Sequence, residues 1–461
     1  MSKSKIFVIQ INHKLKNEVK ITASKIQDIH SYSRDMNLEF GSQTVRIPTV
    51  YLHYVKNIQY DFMEISPDIA RELHLPKDNM TILAKYDSSK RLIKFGPLIG
   101  IFIKPGKKKG SISIVQKAVL SQYFKHAKDL HYCAYAFSAD DIDWKRKLIH
   151  GYFTNDRNVI VKGYFPFPDV MYDQNCSRTY ERKQKVVTTL QKLYSHIPNY
   201  FNPGYLNKWE IYEYLSAHEI AKRFNPYTKL VRSISMIPNE AQRLGVSYIK
   251  PVNGSLGEGI VTVTYHNGVY HYKYQGRTIV EGKCTNHKKL EEVLSNIIGK
   301  RKYIIQKGLP LINYQQRPVD IRVLMQKNER GKWIRTKIFA RVSKPGSITS
   351  NLSRGGEAKT IDDVLTNNFS TDQIANIKKQ LRSISRLIAK AIEESSEKHY
   401  GELGLDLGIT DNGQIWLIEI NSKPWKTIET KTGTQELVEK SFRRPMEYAG
   451  FLANFIGKNE V

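Results

Sequence analysis

The sequence predicts a mixed α/β (α+β) protein built from several domains, and three observations lead there. The chain has 461 residues, a length that corresponds to about two to four structural units, and 40% of them are hydrophobic, enough for real cores. Short runs with strand-like alternation fill the first part of the chain. Beyond about residue 96, strand-like runs alternate with amphipathic helical segments.

The composition also narrows the partners. Lys+Arg number 72 against 44 Asp+Glu, a formal net charge of +28, and such a field favours anionic partners: nucleotides, nucleic acid, acidic peptides or anionic surfaces. The chain has 27 tyrosines but shows no recognisable DNA- or RNA-binding motif, which sets nucleic acid aside. Cys133, Cys176 and Cys284 lie far apart with no CxxC pair, so neither zinc nor a disulfide framework is expected, and a reducing, cytoplasmic compartment fits. The apolar runs in MSKSKIFVIQIN and GPLIGIFI fall short of a signal peptide and of the roughly 18 residues of a membrane span, so no membrane partner is expected.

Residues 1–95 read as a β-rich domain, with strands in IFVIQI, TVRIPTVYLHYV, NMTILAKY and RLIKFG. A short helix in SPDIAREL has Ser66 as its cap and Pro67 at its first position. Residues 96–200 read as a small α/β layer. It comprises the strand GPLIGIFIKP, the helix SIVQKAVLSQYFKHAKDL, the strands HYCAYAFS, NVIVKGYF and PDVMYD, and a helical segment around SRTYERKQKVVTTLQKLYSHI. Residues 201–461 form a third region, beginning at FNPGYLNKWEIYEYL and ending in a helix over EYAGFLANFIG.

The chemistry concentrates in that third region. In LGLDLGITDNGQIWLIEIN, Asn412-Gly413 between alternating apolar residues signals a hairpin with a two-residue type I′ turn. If Asp411 pairs with Gln414, then Leu405 meets Ile420, Leu407 meets Ile418 and Ile409 meets Trp416 on a buried face. The other face sets Asp406 opposite Glu419, with Asn421 beside it. Two facing carboxylates need positive charge between them, and a hard cation such as Mg²⁺ is one answer. Exposure to solvent, or a neighbouring Lys or Arg, is the other.

In SYIKPVNGSLGEGIVTVTY, Lys250 precedes a loop with Gly254, Gly257 and Gly259. The loop joins two strand-like runs, which excludes P-loop and Rossmann motifs but still allows backbone N–H groups to fold over phosphate. An ordinary hairpin loop is the alternative. Lys208 opens an amphipathic helix carrying Trp209, Ile211, Tyr212 and Leu215, where taken alone a solvated lysine is the first expectation. In YIIQKGLPL a strand ends at a Gly-Leu-Pro break that leaves backbone groups of Gln306, Lys307 and Leu309 available to a flat polar ring, although read alone it is only a strand end. Asp320 and Arg322 of RPVDIRVLMQ share one strand face, opposite Ile321, Val323 and Met325, and read as a structural ion pair. Arg341 ends a strand that precedes a polar segment with Asn351, Arg354, Gly355 and Gly356.

The order of these features (lysine, lysine with glycine loop, strand-end break, DIR strand, arginine, SNLxxGG, D…ExN) resembles the ATP-grasp fold over roughly residues 200–455. GPLIGIFIKP, NKWEIYEYL, IKPVNGSLGEGI, RPVDIRVLMQ and LGLDLGI…IWLIEINSKPW are similar to the YheC/YheD family of endospore coat-associated proteins across nearly the whole chain. The resemblance implies an ATP-grasp fold of two subdomains, preceded by an α/β pre-ATP-grasp domain and the β-rich N-terminal domain. It implies ATP with Mg²⁺, or Mn²⁺, and a carboxylate-amine ligase working through an acyl phosphate on an unidentified carboxylate and amine, with an acidic peptide or spore-coat component among the partners. The alternative is a nucleotide-binding or inactive structural protein of the coat.

By that resemblance Lys208 and Lys250 contact the ATP phosphates and residues 254–259 form the lid. Gln306, Lys307 and Leu309 contact adenine, and Asp320 meets the ribose or base edge. Asp406, Glu419 and Asn421 hold the metal, and Arg341 and Asn351 lie near the transferred phosphate. In ribosomal-protein glutamate ligases an arginine usually stands two residues before that asparagine; here the position is Thr349.

Overall fold

The computed structural model describes residues 4–23, 34–56, 58–108, 110–254, 257–276, 278–299, 301–347, 350, 352, 355–430 and 432–455. Asn351, Arg354 and Thr349 therefore lie outside the described residues, as do two positions of the 254–259 loop.

The β-rich region closes into a barrel. Its strands are β1 (Lys5–Ile11), β2 (Glu18–Ala23), β3 (Arg34–Phe40), β4 (Gln43–Tyr54), β5 (Asp61–Ile65), β6 (Met80–Asp87) and β7 (Leu92–Gly96), ordered β1-β5-β2-β4-β3-β7-β6. Helix α1 (Pro67–Glu72) starts at Ser66 with proline in its first turn, as its sequence dictates. The strands beyond those read from the sequence carry charged residues at outward positions. Asp61–Ile65, for example, has Glu64 between the buried Met63 and Ile65.

A second sheet follows. It comprises β8 (Leu98–Phe102), β9 (Cys133–Phe137), β10 (Ile142–Asp143), β11 (Leu148–Thr154), β12 (Ile160–Pro166), β13 (Val170–Asp173) and β14 (Tyr200–Phe201), with α2 (Ile114–Asp129), α3 (Arg178–Glu181) and α4 (Gln184–His196). Strands β9, β8 and β13 are adjacent and parallel, so their C-terminal ends share one edge. One face packs with the barrel and α4, the other with α2.

The third region contains two further sheets. The first orders β15 (Thr228–Val231), β20 (Tyr303–Lys307), β16 (Val246–Pro251), β17 (Ile260–His266), β18 (Val269–Gln275) and β19 (Ile279–Cys284), covered by α6 (Met236–Leu244) and α7 (His287–Ile298). The second orders β24 (Glu357–Lys359), β23 (Trp333–Val342), β22 (Arg317–Lys327), β25 (Glu402–Ile409) and β26 (Ile415–Asn421), with β21 (Asn313–Tyr314) pairing β22. Helices α5 (Lys208–Ala217), α8 (Ile361–Leu365) and α9 (Thr371–Ser396) cover its apolar face. Alternation decides which side chains enter the cleft. Ile249, Ile321 and Leu405 go to the cores, and their neighbours Lys250, Asp320 and Asp406 go the other way.

Two details depart from the sequence reading. The hairpin turn is not type I′: Asn412 has no left-handed backbone, Thr410 pairs with Gln414, and Gly413 alone takes positive φ (83°). This longer turn shifts the pairing to Ile409–Ile415, Gly408–Trp416 and Leu407–Leu417. A bulge at Ile418 then restores it, so Asp406 still faces Glu419 and Leu405 still faces Ile420.

The last helix, α10 (Gln435–Leu452), starts twelve residues before the expected EYAGFLANFIG segment and runs through Pro445. Proline cannot donate to the Ser441 carbonyl one turn back. The Gln326 side chain donates to that carbonyl instead (2.8 Å), and α10 lies against α2 and the second-region sheet. No helix among the described residues is long and apolar enough to cross a membrane.

Candidate functional site: a charged cleft between two sheets

The cleft begins with Lys208. Asn207 caps α5, accepting from the Trp209 and Glu210 N–H groups, and this places Lys208 at the first helical position. From there its ammonium donates to the Gly254 carbonyl (3.2 Å) and meets Glu419 Oε1 at 3.2 Å. One lysine thus ties the glycine loop of the first sheet to the metal-candidate strand of the second. In that loop Gly257 (φ 69°) and Gly259 (φ 77°) are left-handed, and a Cβ at Gly259 would come 3.1 Å from Pro251.

Lys250 is buried and donates to Gln306 Oε1 (2.6 Å), while Gln306 donates to Thr228 (3.0 Å). Burial, reinforced by neighbouring Lys208, lowers the Lys250 ammonium to about 8. Lys208, Ile211, Lys250, Gln306, Ile418 and Glu419 line one hollow, and the bulge turns Ile418 into it. At the strand end, the Lys307 N–H already donates to the Tyr227 carbonyl (2.9 Å), and the Leu309 carbonyl accepts from Leu311 (2.9 Å).

Asp320 and Arg322 share a face but do not pair with each other, because each finds its partner across the sheet. Asp320 stands opposite Arg341 and accepts two hydrogen bonds from it (2.6 and 2.7 Å), with Ser350 as a further donor. Arg322 stands opposite Asp406 and donates to both its oxygens (2.5 and 3.1 Å). Arg341 also reaches Asp406 (2.8 Å). Burial alone would raise the Asp406 pKa, but the two guanidiniums hold it below the usual carboxylate range. Burial raises that of Asp320, against the pull of Arg341.

Whether this donor set fits Mg²⁺ turns on what each carboxylate has left. Asp406 accepts three hydrogen bonds of the roughly four a carboxylate can take. Glu419 is about a quarter exposed, with one close cation, and Asn421 is half-buried on the same strand. Among the described residues no three His, Cys, Asp or Glu side chains converge. A cation here would therefore rely on Glu419, Asn421, a remaining lone pair of Asp406, water and phosphate oxygens. Carboxylate and amide oxygens suit a hard cation, and the residues fit it.

Sequence reasoning missed the wall contributed by the second region. Lys423, fully buried, bonds Asp173 (2.7 Å) and Glu181 (3.2 Å). Arg178 donates to the Leu206 carbonyl (3.0 Å) and lies over the Tyr205 ring. Lys423 stood in view two residues past Asn421, but its partners lie some 240 residues earlier, beyond any local pattern.

Two packed sheets with Lys250 on one, carboxylates and arginines on the other, and Lys208 and a glycine loop between them define an ATP-grasp protein. Residues 198–452, more than half of the chain, match the model described as YheC/D like ATP-grasp, and the chain belongs to that family. It is 28% identical to the endospore coat-associated protein YheD of Bacillus subtilis (strain 168) over 462 residues, covering 97% of this chain and 96% of that protein. It is 27% identical to YheC of the same organism over 274 residues, 56% of this chain and 70% of YheC. Among solved structures, the D-cycloserine synthetase DcsG is similar at a TM-score of 0.46 and 12% identity, covering 77% of this chain and 99% of that one.

Proposed function

We propose that the chain is an ATP-dependent ligase that joins a carboxylate to an amine. The observation that carries this reading is the convergence of Lys208, Lys250, Arg322 and Arg341 with Asp406 and Glu419 in one cleft between the two sheets. Such a site is built for neutralising phosphate charge rather than for acid-base work.

In this reading Lys208 and Lys250 hold the phosphates, the 254–259 loop covers them, and Gln306, Lys307 and Leu309 border the adenine with Asp320 beyond. Asp406, Glu419 and Asn421 would hold Mg²⁺ or Mn²⁺, which when bound screens the triphosphate. Arg341, with Asn351, steadies the phosphoryl group as a carboxylate oxygen attacks it and ADP leaves. The amine then attacks the acyl carbon, phosphate departs and the amine loses a proton. Closure of the loop keeps water from the acyl phosphate. The relatives are named endospore coat-associated proteins, which supports a role in spore formation.

The test is trapping. With hydroxylamine as the amine, a screen of amino acids and dicarboxylates should yield hydroxamate together with equal amounts of ADP and phosphate. Release of AMP and pyrophosphate would contradict the acyl-phosphate route.

A structural role in the coat draws on one observation, the engagement of Asp406 by two arginines. It allows nucleotide binding and requires that the protein turn over no ATP.

A further inference from the structure

A second hollow, of about 1200 Å³ including its open mouth, lies at the C-terminal ends of β8 and β9, bordered by Lys107, Asp141, Arg146, Tyr152, Lys162 and Tyr164. Parallel α/β sheets bind ligands at this edge. The carboxylates in it are matched internally: Asp141 by Lys162 (2.6 Å), Asp143 by Arg146 (2.7 Å), and Asp140 by Lys185. The rings of His150 and Tyr164 stack 4.7 Å apart, leaving a partly exposed aromatic wall.

The unmatched charge comes from one loop. KPGKKKGS joins β8 to α2, and no described carboxylate pairs with its Lys104, Lys107 or Lys108, all exposed. Gln116 of α2 donates to the Lys104 carbonyl (2.8 Å), so loop and first helical turn form one unit. That turn exposes Ile114 (86%) and Val115 (53%), an unusual pair of aliphatic side chains to leave in water.

We infer that this hollow and its lysine loop dock an acidic peptide segment that also carries aliphatic side chains. Its carboxylates meet the lysines, its aliphatic groups cover Ile114 and Val115, and its backbone N–H groups find the aspartate oxygens lining the hollow. A polyphosphate backbone has no aliphatic groups to cover Ile114 and Val115, and a bilayer cannot enter a concave hollow. Strand β13 neighbours β8, roughly 5 Å away, and ends at Asp173, the partner of Lys423. A docked segment therefore lies along the same sheet edge as the wall of the cleft. That the segment carries the reacting group rests on the ligase reading; the docking does not.

The experiment is fluorescence anisotropy with a labelled glutamate-leucine peptide at low salt. The probes are wild type, a Lys104→Glu, Lys107→Glu, Lys108→Glu variant and an Ile114→Ser, Val115→Ser variant, each checked for fold by circular dichroism and for unchanged stabilisation by ADP with Mg²⁺. Both variants should bind at least about tenfold more weakly, and a lysine-leucine peptide should not bind. Unchanged affinity in either variant overturns the inference, as does capture of phosphatidylglycerol vesicles or single-stranded DNA without the peptide. A Glu419→Ala protein that keeps the peptide but loses the tightening of ADP by Mg²⁺ separates this docking from the catalytic reading.

Discussion

Replacing Asp406 by alanine destabilises the protein by about 3–5 kcal/mol, the cost of leaving buried cations without their counter-charge. Asp406 is 4% exposed and is the only carboxylate that Arg322 meets at ion-pair distance among the described residues. Arg341 keeps Asp320 but loses its second partner. At about 2–4 °C per kcal/mol, the melting temperature should fall by roughly 6–20 °C. Adding Arg322→Met should recover part of the loss, because the stranded charge is gone. A melting temperature within a degree or two of wild type would show that the arginine-carboxylate network is not what holds this sheet face together.

Lys250→Met separates binding from stability. The Lys250 ammonium is costly where it sits, since burial and Lys208 lower it from 10.5 to about 8. Phosphate oxygens would repay that cost. The variant should bind ADP about 10–100-fold more weakly, the loss of a charge-assisted contact of about 1.5–3 kcal/mol, yet its stability without nucleotide should change little. The pH dependence has a definite sign. A lysine with a lowered folded pKa favours folding more as pH rises from about 8 to 10.5, because the unfolded chain then binds the extra proton. Phosphate binding needs the protonated form, so wild-type ADP affinity should weaken above about pH 8, by up to tenfold per unit, while Lys250→Met shows no such limb. Calorimetric titration across pH 7–10 checks this, and parallel profiles would remove Lys250 from the phosphate site.

The sequence carried the face assignments well, because alternation is local. Asp320 and Asp406 were read as opposite to their apolar neighbours and they are. The opposition of Asp406 and Glu419 was read from an incorrect turn and still holds, because a longer turn and the bulge at Ile418 shift the register in opposite senses. Partner choice was not legible. Asp320 and Arg322 look like a pair along one strand, but cross-strand neighbours lie closer than residues two apart on the same strand. The terminal helix was read over EYAGFLANFIG alone, which begins two residues after Pro445. Only the tertiary fold, by bringing Gln326 to the freed Ser441 carbonyl, explains why the helix continues. The Lys423 pairs with Asp173 and Glu181 depend on where the second region docks, which no motif encodes.

The most direct test of the central claim is calorimetric titration of ADP into wild type and Glu419→Ala, each with and without Mg²⁺. Glu419 is partly exposed and its pairing with Lys208 contributes about 1 kcal/mol or less, so the variant should fold normally. Wild type should show one ADP site that tightens with Mg²⁺, and Glu419→Ala should show no metal response. Absence of ADP binding in wild type under both conditions would contradict the claim and leave the cleft as a structural element of the fold.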